Sequence, residues 1–362
     1  AVDSTPASAE ERRVAGLSTA LQDDGTLRYY GDRNKFGLRR GQWTDDTAMA
    51  LCLADSLLVH GQYHGGDCRI RFFNWWYYGY NNGFASDPHG VRRSVGLGST
   101  IGRSLDELLD HEGADAGSVP WRYLGGGGDA GNGSLMRLAP VAIRYARAPA
   151  LLLESAAEQS LATHPGSDAT VCCLFLAYAM AAALTRPAAA PAPMEHFLRQ
   201  VIEQFLAEVG QAPAWRAHAS MARLAALLRH QPPGLAEANW DWYAAELPLA
   251  ATLQARAGQY QGHAVNASYF GSYSMDALAL ALWAMRPATS FSEAILRVVN
   301  LLGDADSTGA TCSQLAGAWF GLSGIAATAV GRRMLANLQE ADPWSEIALR
   351  ALLLSAQSCD GQ

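Results

Sequence analysis

Apolar positions along this chain recur at three- and four-residue intervals, with little of the two-residue alternation that marks half-buried strands. Helical spacing predicts helices over Thr47–Val59, Leu151–Ala162, Ala169–Leu184, Met194–Val209, Ser220–Arg229, Met275–Met285, Phe291–Leu302, Thr308–Gly324 and Ile347–Ala356. Alanine and leucine dominate, while valine and isoleucine are sparse, which agrees with helix rather than sheet. The pattern predicts an all-α chain. Ser292-Glu293 and the stretch Asp304 to Ser307 are the expected helix caps.

Glycine and proline mark the breaks. Residues 79–102 are rich in Asn, Gly and Ser, 125–133 is a glycine run, and 188–193 is an Ala-Pro connector. Residues 231–234 and 260–274 are further loops. None reads as a flexible linker between domains, and no short-period repeat is present. The expected organisation is a divergent segment over 1–35 packed on one compact helical domain over 36–362.

Composition narrows the function. With 362 residues and 49% hydrophobic content, the chain can bury a sizeable core. The net charge is −7 and the basic residues are scattered, which argues against a nucleic-acid surface. Lys35 is the only lysine, so a phosphate loop ending in Gly-Lys-Ser/Thr is absent and a Schiff base would have to use Lys35. No apolar run in the sequence reaches membrane-spanning length without interruption, and no membrane partner is expected. The six cysteines, Cys52, Cys68, Cys172, Cys173, Cys312 and Cys359, form no Cys-x-x-Cys pair and read as reduced core residues of a cytoplasmic protein. Ala1 to Arg13 lacks an apolar signal core, and a targeting segment upstream of Ala1 stays open.

Two acidic clusters carry the chemistry. Trp43-Thr44-Asp45-Asp46-Thr47 and Gly303-Asp304-Ala305-Asp306-Ser307-Thr308-Gly309 each set two Asp beside hydroxyls at the start of an apolar helical run. Each alone can be read as a helix N-cap. Two carboxylates at about 4 Å repel by roughly 4 kcal/mol at an effective dielectric near 20, so four together call for protons or cations. Such oxygen donors suit Mg²⁺, Mn²⁺ or Ca²⁺ rather than zinc. Asp304-x-Asp306-x-Thr308-Gly309 imitates half an EF-hand loop, but the twelfth position is Leu315 instead of Glu. The same motif resembles an aspartyl-phosphate nucleophile, and the lysine that chemistry needs is missing after position 35.

Three weaker segments accompany them: Ser94-Val95-Gly96-Leu97-Gly98-Ser99, Gly131-Asn132-Gly133-Ser134-Leu135-Met136-Arg137-Leu138-Ala139-Pro140, and Thr163-His164-Pro165. The first could hold phosphate on backbone N–H groups. The second could let a backbone approach a ligand, with Asn132 bonding a ribose or an amide.

In this order the segments resemble the ADP-ribosylglycohydrolase family, which includes the dinitrogen-reductase-activating glycohydrolases. The resemblance rests on Gln42–Leu58, Gly131–Pro140, Thr163-His164 and Val298–Gly321, and covers roughly residues 36 to 330. It implies a compact helical domain with a cleft for two Mg²⁺ or Mn²⁺ ions. Carried over, Thr44, Asp45 and Asp46 ligate one side, and Asp304, Asp306 and Ser307 complete the pair. Gly96 and Gly98 fall where the family contacts the diphosphate, and Asn132 and His164 where it contacts the ribose. Asp45, Asp46 and Asp304 are the expected catalytic residues. The implied activity is metal-dependent hydrolysis of the glycosidic bond of ADP-ribosylated protein side chains, arginine-linked first, by a monomer. A non-catalytic ADP-ribose-binding protein of the same fold is the alternative.

The chain departs from the family in two places. The usual Gly-Asp-Ala-Leu-Gly end of the first helix is missing from 14–25, and no Glu occurs between Glu11 and Glu107. Asp23, Asp24 or Asp32 could stand in for the loop Glu. The stretch Phe72–Phe84 is unusually aromatic and reads either as core and cleft-wall packing or as a stacking surface.

Overall fold

All nine helices that the periodicity predicts form, and in all but the last an apolar stripe is buried; Glu346–Ala356 buries Leu354 and leaves Leu349, Leu352 and Leu353 exposed. A computed structural model describes residues 3–4, 36–84, 94–111, 113–187, 193–216, 218, 220–260, 263–264 and 270–358, with backbone alone at 3–4 and 263–264. Asp23, Asp24, Asp32, Lys35 and Cys359 lie outside the described residues. The predicted helices are observed as Asp45–His60, Pro149–Leu161, Ser167–Thr185, Met194–Glu208, Met221–Leu228, Ser274–Met285, Phe291–Val299, Ala305–Ala326 and Glu346–Ala356. Gly65–Tyr78, Ser99–Asp106, Ala139–Tyr145, Pro213–Arg216, Leu249–Arg256 and Ala329–Ala341 are further helices. Among the described residues the only strands are two-residue pairs, Asp3–Ser4 with Gly303–Asp304 and Gln259–Tyr260 with His263–Ala264.

The chain divides into two units. The first takes in Leu38–Thr185 and Ala336–Gln362. Here the Asp45–His60 helix packs on Gly65–Tyr78, Ala139–Tyr145 and Glu346–Ala356, and Pro149–Leu161 packs on Ser167–Thr185. Gly61 ends the Asp45–His60 helix in the left-handed conformation (φ 69°) and returns its N–H to the Leu57 carbonyl. Arg350 reaches from the C-terminal helix to Asp55 (2.7 Å). Fully buried Arg69 donates to the carbonyls of Ser104, Pro120 and Arg122, which pins the 104–122 connection. The Ser167–Thr185 helix is long and apolar enough to cross a membrane by length and composition, contrary to the sequence expectation, and 78% of its apolar window is buried inside the protein. Leu174, Phe175, Leu176 and Met180 are at its core.

The second unit takes in Arg186–Leu335 with the strand Asp3–Ser4. Its centre is Ser274–Met285, in which every residue is buried, as expected of a helix apolar on all sides. Phe291–Val299 and Ala305–Ala326 pack against it. Beneath it, Asp276 forms a buried ion pair with Arg256 (2.6 Å) and accepts further hydrogen bonds from Asn239 and Trp240. The cap of Phe291–Val299 is Ser290, not Ser292. Ser290 accepts from the Glu293 N–H, and Ser292 instead bonds the Thr328 hydroxyl (2.6 Å). Gly321 (φ 64°, ψ 174°) kinks the Ala305–Ala326 helix.

The aromatic stretch is divided between packing and surface, with Trp76, Tyr77, Tyr80 and Phe84 partly exposed. Phe72, Phe73 and Trp75 are buried, while Tyr78 is exposed. The five described cysteines are buried, and burial pushes the Cys68 and Cys312 thiols up to about 12.

Candidate active site

In the first unit, Thr44 is the residue before the Asp45–His60 helix, and its side chain does not cap the helix. Its hydroxyl donates instead to Asp46 Oδ2 (2.5 Å). Thr44, Asp45 and Asp46 are all buried, and carboxylate oxygens of Asp45 and Asp46 lie within 4.8 Å of each other. The helix N-terminus favours negative charge there. Two buried carboxylates this close nonetheless repel, which a cation would relieve.

The loop 94–98 closes on this pair. Gly96 has φ +95°, and a Cβ on it would stand 2.0 Å from Asp45 Oδ1. Only glycine allows that approach. Gly98 is different. It is the N-cap of Ser99–Asp106 with ordinary φ (−74°), and a Cβ there would meet nothing nearer than Ile101 at 4.0 Å.

Asn132 opens a short 3₁₀ turn, Asn132–Ser134, and is buried. The following Gly133 lies against His164, where a Cβ would be 2.7 Å from Cε1 and 3.1 Å from Nε2. Gly166 donates its N–H to the Asp129 carbonyl (3.2 Å), which ties the 129–134 strip to 163–166. His164 is buried, and its Nδ1 faces the Thr163 hydroxyl at 2.8 Å. Burial, together with the charges of Arg137 and Arg103, lowers its pKa to about 3, so it is neutral at physiological pH.

The second acidic cluster lies in the second unit. Asp304 precedes the Ala305–Ala326 helix, and its side chain makes no capping bond. Its N–H donates to the Phe270 carbonyl (2.8 Å), and its own carbonyl accepts the Thr308 hydroxyl (2.8 Å). Gly303 (φ +68°) makes this crossing feasible, since a Cβ there would stand 2.4 Å from the Phe270 oxygen. Leu302 also has positive φ (63°), a strained conformation for a branched residue beside a candidate site. Asp304 and Ser307 are buried, while Asp306 is partly exposed and accepts the Ser307 N–H (3.1 Å).

Each set is made of carboxylate and hydroxyl oxygens, with no imidazole or thiolate, and fits a hard divalent cation. The first unit therefore joins Thr44, Asp45, Asp46 and Gly96 in one cluster, and Gly133 with His164 in another. Sequence reasoning missed the part played by Arg137. It is buried behind His164 and donates to the Thr163 hydroxyl (2.9 Å). Its place inside the Gly131–Pro140 segment was the available signal.

Packed helices with acidic helix starts and a glycine strip define a helical protein with clustered oxygen donors suited to a hard cation. Comparison with known families places it more closely. The ADP-ribosylglycohydrolase family model matches residues 5–361, and the chain belongs to that family. It is 31% identical over 292 residues to the ADP-ribosylarginine hydrolase Tri1 of Pseudomonas putida (strain GB-1), covering 80% of this chain and 62% of the relative. It is 26% identical to the ADP-ribosyl-[dinitrogen reductase] glycohydrolase of Rhodospirillum rubrum, covering 80% of this chain and 72% of the relative. A solved structure described as an ADP-ribosylglycohydrolase-related protein complex aligns with TM-score 0.59 and 28% identity, covering 90% of this chain and 85% of the other. The chain spans about three fifths of the length of the two ADP-ribosylarginine hydrolases that it matches.

Proposed function

We propose that this chain is a divalent-metal-dependent hydrolase that releases ADP-ribose from modified protein side chains, with arginine-linked ADP-ribose as the first substrate. The observation that carries the reading is the Thr44-Asp45-Asp46 cluster with Gly96 closed against it, in a chain of the ADP-ribosylglycohydrolase family. The names of the bacterial relatives favour the arginine linkage.

Thr44, Asp45 and Asp46 are the proposed ligands on one side, and Asp304, Asp306 and Ser307 complete the set for two Mg²⁺ or Mn²⁺ ions. The ions would supply charge to orient the distal ribose and to acidify water. Asn132 and His164 would bind the ribose next to the scissile bond, and the N–H groups of the 94–98 loop would face the diphosphate. The neutral state of His164 suits a ligand whose hydroxyls and phosphates need hydrogen bonds. Asp45, or an aspartate from the segment before residue 36, is the proposed general base for water attacking C1″ as the bond from C1″ to the side-chain nitrogen breaks, and the leaving guanidine takes up the proton that water loses. Positive charge developing on the ribose ring would be met by nearby carboxylates, as in other glycoside hydrolyses.

Calorimetric titration with ADP-ribose in the presence of Mg²⁺ or Mn²⁺ tests the binding half of this reading. Micromolar or tighter binding that vanishes with EDTA supports it, and absence of binding under both conditions refutes it. Binding without turnover would point to the non-catalytic ADP-ribose-binding alternative.

A further inference from the structure

Arg137 is a buried cation with an unusual set of neighbours. It is fully buried, yet forms no ion pair with any described carboxylate. Its guanidinium donates from Nε to Gln159 Oε1 (3.1 Å), and from Nη2 to the Gln159 carbonyl (2.7 Å) and the Thr163 hydroxyl (2.9 Å). Its remaining nitrogen faces Met49 Sδ (3.8 Å), and its plane lies 4.3 Å from the Phe72 ring centroid. A charge buried without a counter-charge is costly. A hydrophobic residue of similar volume would fill the same space without that cost.

The hydrogen-bond arithmetic shows what the cation does. Thr163 Oγ1 has one proton and two lone pairs. Arg137 can only donate, so it occupies a lone pair. The other contact of that oxygen is His164 Nδ1 at 2.8 Å. If Nδ1 carried the proton, both lone pairs of Oγ1 would be taken, and the hydroxyl proton of buried Thr163 would have no acceptor among the described residues. A buried donor left without an acceptor costs about 1–3 kcal/mol. With the proton on Nε2, Thr163 donates to Nδ1 and a single group, the Nε2–H itself, is left without a partner among the described residues, whereas the other tautomer leaves two, the Thr163 hydroxyl proton and the Nε2 lone pair.

We infer that Arg137, acting through Thr163, is a positioning residue that locks His164 in the Nε2–H tautomer and so fixes it as a hydrogen-bond donor. The Nε2 edge faces the backbone of Gly133, where a Cβ would stand 3.1 Å from Nε2 and 2.9 Å from Ile101 Cδ1, so only glycine lets this strip lie against the ring. No described residue accepts a hydrogen bond from Nε2, so the donor is kept for an oxygen of the ligand. That last step rests on the function proposed above, and the tautomer does not. The same guanidinium disfavours protonation of His164, so the ring offers one donor and no charge.

The test is long-range ¹H–¹⁵N correlation on the full chain with ¹⁵N-labelled histidine, with His164 assigned by its loss in His164→Gln. The wild-type protein and Thr163→Ser are expected to show a pyridine-like Nδ1 and a pyrrole-like Nε2. In Thr163→Val the single tautomer should give way to a mixture, and the Kd for ADP-ribose should rise about tenfold, the equivalent of one hydrogen bond. A pyrrole-like Nδ1 in the wild-type protein overturns the inference without any variant having to fold. Unchanged imidazole shifts in Thr163→Val overturn it equally. A wild-type chain with the expected tautomer that fails to bind ADP-ribose refutes the proposed function and leaves the Arg137–Thr163–His164 lock standing.

Discussion

Gly96 and Asp45 stand in a contact that no other residue at position 96 could make: a Cβ would lie 2.0 Å from Asp45 Oδ1. The loop is therefore shaped around the carboxylate. Gly96→Ala must move either the loop or Asp45, and the positive φ adds strain of its own. The variant is expected to lose at least tenfold in Mn²⁺ affinity by calorimetry. Gly98→Ala, with open space around it and ordinary φ, should lose less than threefold. Equal losses in the two variants would show that the contact does not matter.

The proposed function counts both Asp46 and Asp304 among the metal ligands. Mg²⁺ that binds only the folded chain raises its melting temperature through mass action. Asp46→Asn and Asp304→Asn should each abolish that rise while leaving the helical circular dichroism spectrum intact. Either variant keeping the full wild-type rise would remove that residue from the ligand set.

His164 makes stability depend on pH in a defined direction. Its folded-state pKa is about 3, against an ordinary value of 6.5, because burial and the charges of Arg137 and Arg103 disfavour the imidazolium. Between these values the unfolded chain binds the extra proton, so the stability it contributes is complete above pH 6.5 and is lost as pH falls toward 3. The slope reaches about 1.4 kcal/mol per pH unit for one proton. Asp55, which hydrogen bonds from Arg350, Asn81 and Tyr80 hold below the usual carboxylate value against its burial, acts in the same direction at lower pH. The difference between the wild-type protein and His164→Gln, followed by urea unfolding from pH 6.5 to 4.5, isolates His164. The variant should show the shallower decline, and parallel curves would contradict the assignment.

The Arg256–Asp276 pair supports the second unit at its centre. Asp276 holds Arg256, Asn239 and Trp240 by hydrogen bonds, and Arg256 in turn lies over the Tyr260 ring (4.1 Å). Removing one partner leaves a buried charge without compensation, at a cost of about 3–5 kcal/mol. Asp276→Ala is expected to lower the unfolding midpoint accordingly, whereas Glu346→Ala, a surface partner of Arg350, should change stability by less than about 1 kcal/mol.

Much of this protein was legible in its sequence. The helix Ser274–Met285 was predicted as Met275–Met285, because an unbroken Ala/Leu run has one stable solution, a helix buried all round. Gly65–Tyr78 escaped notice because it opens on two glycines and carries four adjacent aromatics, all poor helix formers, and it is held by packing of Phe72 and Trp75. Thr44, Asp45 and Asp46 stood out by residue type alone. The Ser290 cap was misplaced by two residues because Ser290 and Ser292 have the same local chemistry, and only the chain direction selects between them. The place of Arg137 in the Gly131–Pro140 segment was a signal that it matters, but not of its enclosure without a carboxylate, which depends on packing from Met49, Phe72 and Gln159 far away in the sequence.

The most direct test of the central claim is release of free ADP-ribose from an arginine-ADP-ribosylated protein, measured with Mg²⁺ and with EDTA. The account predicts release with Mg²⁺ and none with EDTA, with Asp46→Asn inactive. Release that persists in EDTA, or no release from the arginine-linked substrate by a chain that binds Mg²⁺, would contradict it.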